Sequence, residues 1–530
     1  MNNIKVLDCT LRDGGYCNNW IFGERNIEKI ISNLASAGVD YIECGFLTNM
    51  IQYDVNVSKY SRLENLTERI PADYVVEKCL VMMNYGEYEV ENLPDCTDSH
   101  IRGIRVAFHK KNTNEALEVC KRIQKKGYRV FVQPMVSLVY SDREFTELIN
   151  RANDINPYAF YIVDSFGSMV RSDLIRLTDL VHENLEENIL LGFHAHNNLQ
   201  LAYSNAAFLS ELNLNRELIV DVSVHGMGRG AGNLNSELFL DYLNRNFSTY
   251  YDLKPILNLM DEIISRFYEE KPWGYSLPNY LSASHLIHPN YAKYLDGKKT
   301  LTLEAMDDIF DLIEPERGIE YDEQYIEHKY IEYLSSKESE NSFSAELEQD
   351  IKGKMVLLIA TGKSVEKEKE SIVSFVKKEN PLVISLNHDY PYVFSKYIFL
   401  SNQRRFRQLN YNAYSKTIVT SNIKADNTLG TINYHSLLNP ILGVRDNVGL
   451  MAIKMLMKYR ASKVVLAGFD GYSDNAFNDY ENTDLAFLGA SERGDTLNKS
   501  MARVISDYSR VIPIEFLTDS IIQRIIVDNI

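Results

Sequence analysis

The chain has 530 residues, more than one ordinary hydrophobic core organises, so two or three domains are expected. Its 45% hydrophobic and 24% charged residues are typical of a soluble globular protein, and no run of about 18 apolar residues offers a membrane span. The net charge of −17 argues against a nucleic-acid partner, and the N-terminal MNNIKVLDCT lacks the basic and apolar regions of a signal peptide.

From residue 4 the chain alternates short apolar runs with helical patterns. The runs are IKVLDCT (4–10), YIECGF (41–46), CLVMM (79–83), GIRVAFH (103–109), RVFVQPM (129–135), FYIVDS (160–165), ILLGFHAH (189–196) and LIVDVSVHG (218–226). In the first intervening helix Ile27, Ile30, Ile31 and Leu34 share one face and Gly38 stops it. Parallel strands need crossover connections, and eight strand–helix units within about 230 residues predict a (β/α)₈ TIM barrel over 1–250. A doubly wound sheet is the alternative. Residues 251–335 read as a helical extension completing the active site, and 336–353 as a polar linker. The rhythm restarts with KMVLLIAT, PLVISL, KYIFLS, KTIVTS and KVVLAGF, predicting a second, Rossmann-like α/β domain over 354–530. The six cysteines end at Cys120 and lack paired zinc spacing, which fits free thiols in a cytoplasmic protein.

In such a barrel the chemistry sits at the carboxyl ends of the strands. Polar residues cluster there: Arg12 and Asp13 after strand 1, Glu43 in strand 2, Asp164 and Ser165 after strand 6, His194 and His196 in strand 7, and the turn 226–233 after strand 8. Residues i and i+2 of a strand share a face, so His194 and His196 can ligate one ion, with Asp13 as an oxygen ligand. Hydrogen-bonded strand-end histidines are the plainer explanation of the pair. Mixed nitrogen and oxygen ligation suits Mn²⁺, Mg²⁺, Co²⁺ or Zn²⁺. Arg12 is placed to stabilise an enolate oxygen, or to form a structural ion pair with Asp13.

The motifs Asp8-x-Thr10-Leu11-Arg12-Asp13-Gly14, Asp164-Ser165-x-Gly167, Gly192-x-His194-Ala195-His196-x-Asn198-Leu199 and Gly226-Met227-Gly228-x-Gly230-Ala231-Gly232-Asn233 together resemble the DRE-TIM metallolyase superfamily. The resemblance covers roughly residues 1–330 and looks nearest to 4-hydroxy-2-oxovalerate aldolase. It implies a divalent-metal-dependent aldolase that cleaves or forms a 4-hydroxy-2-oxo acid from pyruvate and an aldehyde, with Mn²⁺ or Mg²⁺ preferred. It also implies Asp13, His194, His196 and Asn233 as metal residues, Arg12 on the pyruvate enolate, and Ser165 with Glu43 at the substrate. The acyl-CoA lyases carry a cysteine in the loop after strand 8, and this chain has none there. The aldolases use a histidine four residues after the arginine; here that position is Tyr16, which suggests a different substrate. Their later tyrosine corresponds to Tyr275, with Tyr280 as second choice. A Claisen-type acyl-CoA synthase and a non-catalytic scaffold barrel are the competing functions. A homo-oligomer is expected.

In the second domain the Gly362-Lys363-Ser364 turn and Lys463–Tyr472 resemble Rossmann-like sialyltransferase-type domains. That resemblance implies a nucleotide or phosphosugar ligand and a role in surface-polysaccharide synthesis, against a docking module without chemistry.

Overall fold

The computed structural model describes residues 3–67, 69–70, 77–98, 101–335, 344–473 and 494–528. They form two compact units, Met1–Ala292 with Glu314–Tyr321, and Lys293–Ile313 with Asp322–Ile530. The stretch 251–335 therefore divides between the two units.

The first unit is a closed barrel of eight parallel strands: β1 (Ile4–Asp8), β2 (Tyr41–Leu47), β3 (Cys79–Asn84), β4 (Gly103–Phe108), β5 (Arg129–Pro134), β6 (Ala159–Asp164), β7 (Leu190–Ala195) and β8 (Leu218–Val222). Closure comes from β1, which pairs with β8 through Leu7↔Asp221 and with β2 through Leu7↔Tyr41. Strands covered on both faces read as near-continuous apolar runs, and β6 and β7 are buried at every residue. Helix α1 (Glu24–Ser36) follows β1 and buries Ile27, Ile30, Ile31 and Leu34. Helix α2 (Asp142–Ile155) is fixed at its start by a capping box of Ser141 and Glu144. Between β3 and β4 the described residues hold short 3₁₀ turns only.

The two-residue period of each strand sorts the barrel interior into layers. Leu7, Tyr41, Leu80, Phe131, Ala159, Tyr161, Leu190 and Ile219 belong to one apolar cluster. Further along, toward the carboxyl ends, the same faces carry Glu43, Gln133, His194 and Asp221, and Arg105 takes that level on β4. A buried charge needs a partner, so this upper layer must be read as one network.

The second unit contains a seven-stranded parallel sheet: β9 (Met355–Ile359), β10 (Leu382–Leu386), β11 (Tyr397–Leu400), β12 (Thr417–Thr420), β13 (Gly430–Ile432), β14 (Lys463–Ala467) and β15 (Ile514–Phe516). The order is β13-β12-β11-β10-β9-β14-β15, so the winding direction reverses between β9 and β14. Part of the stretch expected as a linker is helix Ser344–Ile351, which buries Leu347 and Ile351 one turn apart. The preceding 336–343 lie outside the described residues.

Candidate metal and substrate site

The turn after β1 sets the floor of the site. The Cys9 carbonyl accepts the amides of both Arg12 (3.1 Å) and Asp13 (2.8 Å), which folds the chain back over the strand end. Gly14 is required, because a Cβ there would stand 2.3 Å from the Thr10 carbonyl oxygen. The Thr10 hydroxyl accepts the Val224 amide at 2.8 Å and ties this turn to the one after β8.

Asp13, His194 and His196 converge, with ligand atoms all within 4.8 Å of one another. All three are buried. The His194 Nδ1 faces the Asp221 carboxylate at 2.9 Å, and the His196 Nδ1 faces the Arg229 carbonyl at 3.2 Å. Each contact places the ring proton on Nδ1 and leaves Nε2 with a lone pair, the arrangement that orients imidazoles on a metal. Burial pushes His196 down to about 3, so it is neutral near pH 7. Burial raises Asp13, but Arg12, His196, His194 and Arg229 outweigh it and hold the carboxyl well below the usual carboxylate range. Asn233 donates its Nδ2 to Asp13 at 2.6 Å, and its Oδ1 is buried without a hydrogen-bond partner. One carboxylate, two imidazole nitrogens and one free amide oxygen suit a divalent cation of mixed ligation.

Arg12 lies against this set. Its Nη1 donates to Asp13 Oδ1 at 2.6 Å and its Nε to Glu43 Oε2 at 2.7 Å, while Nη2 is buried and unpartnered. Glu43 is fully buried behind Arg12 and also lies 3.3 Å from Arg105. Arg105 in turn grips Asp221 with two hydrogen bonds, of 2.8 and 3.0 Å. Arg12, Glu43, Arg105, Asp221 and His194 thus form one continuous chain across the barrel interior.

The remaining expected residues are spread more widely. Ser165 accepts the Val136 amide on its Oγ at 2.9 Å and an Arg229 Nη2 bond on its carbonyl at 3.0 Å. Tyr16 is 37% exposed, with the Arg229 guanidinium 5.4 Å from its ring centre. Tyr275 is 56% exposed and makes no hydrogen bond or ring contact among the described residues; Tyr280 is 43% exposed. Arg105, Asp221 and Arg229 are absent from the sequence-based expectations. The first two had a signal, since each is a charged residue in the middle of an otherwise apolar strand.

In the second unit, the Ser364 amide donates to Asp470 Oδ2 at 2.7 Å and its hydroxyl donates to the same carboxylate. Two donors of the Gly362-Lys363-Ser364 turn thus go to a carboxylate of the chain itself.

Residues 3–263 match the HMGL-like family. The match spans the eight barrel strands and the residues that converge at their carboxyl ends. It is 26% identical over 266 residues to a 4-hydroxy-2-oxovalerate aldolase of Geobacillus genomosp. 3, covering 49% of this chain and 77% of that protein. It is also 26% identical over 247 residues to an oxaloacetate decarboxylase of Mycobacterium tuberculosis, covering 45% of this chain and 70% of that protein. The HMG-CoA lyase of Brucella melitensis superposes with a TM-score of 0.42 at 16% identity, covering 51% of this chain and 99% of that one. No helix among the described residues is long and apolar enough to cross a membrane.

Proposed function

We propose that the barrel is an aldolase that splits a 4-hydroxy-2-oxo acid into pyruvate and an aldehyde, or joins them. The observation that carries this reading is the convergence of Asp13, His194 and His196 beside an arginine with one unpartnered buried nitrogen. A divalent cation held by Asp13, His194, His196 and Asn233, Mn²⁺ or Mg²⁺ by preference, supplies Lewis-acid polarisation of the 2-oxo group.

The chain's own residues do the rest. Cleavage breaks the C3–C4 bond; its electron pair moves toward C3 and the 2-oxo oxygen, and the 4-hydroxyl proton is lost as the aldehyde forms. Arg12 Nη2 donates to the oxygen that gains charge, a contact stronger in the transition state than in the bound substrate. Glu43 and Arg105 hold Arg12 from behind, so the donor is fixed before substrate arrives. Ser165 binds the carboxylate through its hydroxyl proton. Tyr16, at the mouth beside Arg229, carries the proton between the 4-hydroxyl and solvent. Returning one proton to C3 completes pyruvate.

The test is pyruvate release from a panel of 4-hydroxy-2-oxo acids by the metal-loaded full chain, with oxaloacetate as a second arm. Release from a 4-hydroxy-2-oxo acid that disappears on chelation is the expected result. Decarboxylation of oxaloacetate with no cleavage of any aldol substrate would replace this reading with a decarboxylase.

A further inference from the structure

We infer that Arg229 and His288 form a subsite for an oxyanion at the outer end of the substrate, so that the aldehyde half carries a carboxylate or a phosphate. The inference rests on the aldolase reading and names its substrate class.

Arg229 sits in the loop after β8, directly beside the metal residues, since its carbonyl accepts the His196 Nδ1 proton. Its charge has no carboxylate partner among the described residues. Nη2 donates to the Ser165 carbonyl, and Nε is buried without a partner. Nη1 lies 3.3 Å from the Nε2 of His288, which is carried by the segment after the barrel.

The tautomer of His288 makes this contact informative. The Asn290 amide donates to His288 Nδ1 at 3.2 Å, so the neutral ring keeps its proton on Nε2. Burial, followed by the charges of Arg229, His109 and His196, holds that ring well below its usual range and therefore neutral. An N–H of Arg229 thus faces an N–H of His288 with no acceptor between them. A single oxygen placed against both resolves the mismatch, and the guanidinium, in direct ion pair with no carboxylate among the described residues, selects an oxygen with negative charge.

Position decides which end of the substrate this is. Asp13, His194 and His196 are at most 4% exposed, whereas Arg229 and His288 are partly exposed and Tyr16 beside them is 37% exposed. The donor pair stands in the outer layer of the site, above the level where the 2-oxo acid is activated.

The experiment runs the aldol direction with pyruvate, the metal-loaded full chain and three aldehydes: butyraldehyde, succinic semialdehyde and glyceraldehyde 3-phosphate. The C3 carbon of pyruvate adds to the aldehyde carbon, and the aldehyde oxygen takes up the proton. One anionic aldehyde should exceed butyraldehyde in kcat/KM by about 10- to 100-fold, the span of a charge-assisted hydrogen bond; which one does so distinguishes carboxylate from phosphate. Arg229→Met should bring that ratio toward one, and His288→Leu should lower it by a smaller factor. The ratio is read on active protein, so partial misfolding of a variant does not mimic the effect. Deuterium exchange into the pyruvate methyl group, followed without aldehyde, reports the aldolase reading separately. Exchange in the unmodified protein with equal use of all three aldehydes overturns the subsite. So does an unchanged ratio in Arg229→Met, or a raised KM for pyruvate exchange in that variant, which would put the pyruvate carboxylate there. Absence of exchange in the unmodified protein overturns the aldolase reading itself.

Discussion

Replacing Asp221 by asparagine tests whether the interior network holds the metal site in shape. The carboxylate accepts two bonds from Arg105 and one from the His194 Nδ1–H, all at 3.0 Å or less, in a fully buried setting. Asparagine keeps the size but offers one acceptor oxygen and puts an amide N–H against a donor. Arg105 then keeps its charge with Glu43 as its other carboxylate. Breaking a buried pair of this kind costs about 3–5 kcal/mol of stability. Loss of the group that orients a metal-binding histidine lowers metal affinity by about 10- to 100-fold. Urea denaturation of the metal-free protein and calorimetric titration with Mn²⁺ measure the two effects independently. Unchanged Mn²⁺ affinity in Asp221→Asn, whatever the stability, would refute the claim that Asp221 positions His194.

Three further substitutions probe neighbouring parts. Arg12→Met should leave Mn²⁺ affinity within a few-fold but lower kcat by about 100- to 1,000-fold, as expected for a lost oxyanion donor; loss of Mn²⁺ instead would make Arg12 a structural residue. Gly228→Ala places a Cβ 2.3 Å from Asn233 Nδ2 and 2.8 Å from Asp13 Oδ2, so Mn²⁺ binding should weaken while far-UV circular dichroism stays native; unweakened binding contradicts the assigned role of that turn. Burial lifts Asp8 to about 6 despite its bonds from Thr10 and Ser236. A carboxyl raised above its unfolded value contributes stability that is present below about pH 4 and is lost as pH rises through about 6, about 3 kcal/mol in all. Asp8→Asn should remove that loss in urea titrations of the metal-free protein; parallel pH curves for the two proteins would refute it.

The barrel was legible because buried parallel strands leave apolar runs, and β1 to β8 fall on the eight runs read from residue 4 onward. Asp13, His194 and His196 were legible for the same reason, since a strand end fixes both their position and their facing. Arg105 and Asp221, in the charged layer beneath them, were not, although Glu43 was expected at the substrate. Arg105, Glu43 and Asp221 lie on three separate strands, and only closure of the cylinder makes them partners. Charge inside an apolar strand was the available clue, because it is stable only when answered from elsewhere. Helix Ser344–Ile351 escaped notice since only Leu347 and Ile351 anchor an otherwise polar segment. Tyr275 was expected at the site from resemblance alone, and it stands 56% exposed in the segment after the barrel.

The most direct test of the central claim is a calorimetric titration of the chelator-treated full chain with Mn²⁺, repeated for His194→Ala. The account predicts one ion bound per chain in the unmodified protein, none in the variant, and loss of pyruvate release with it. Equal binding and equal turnover in both proteins would contradict it.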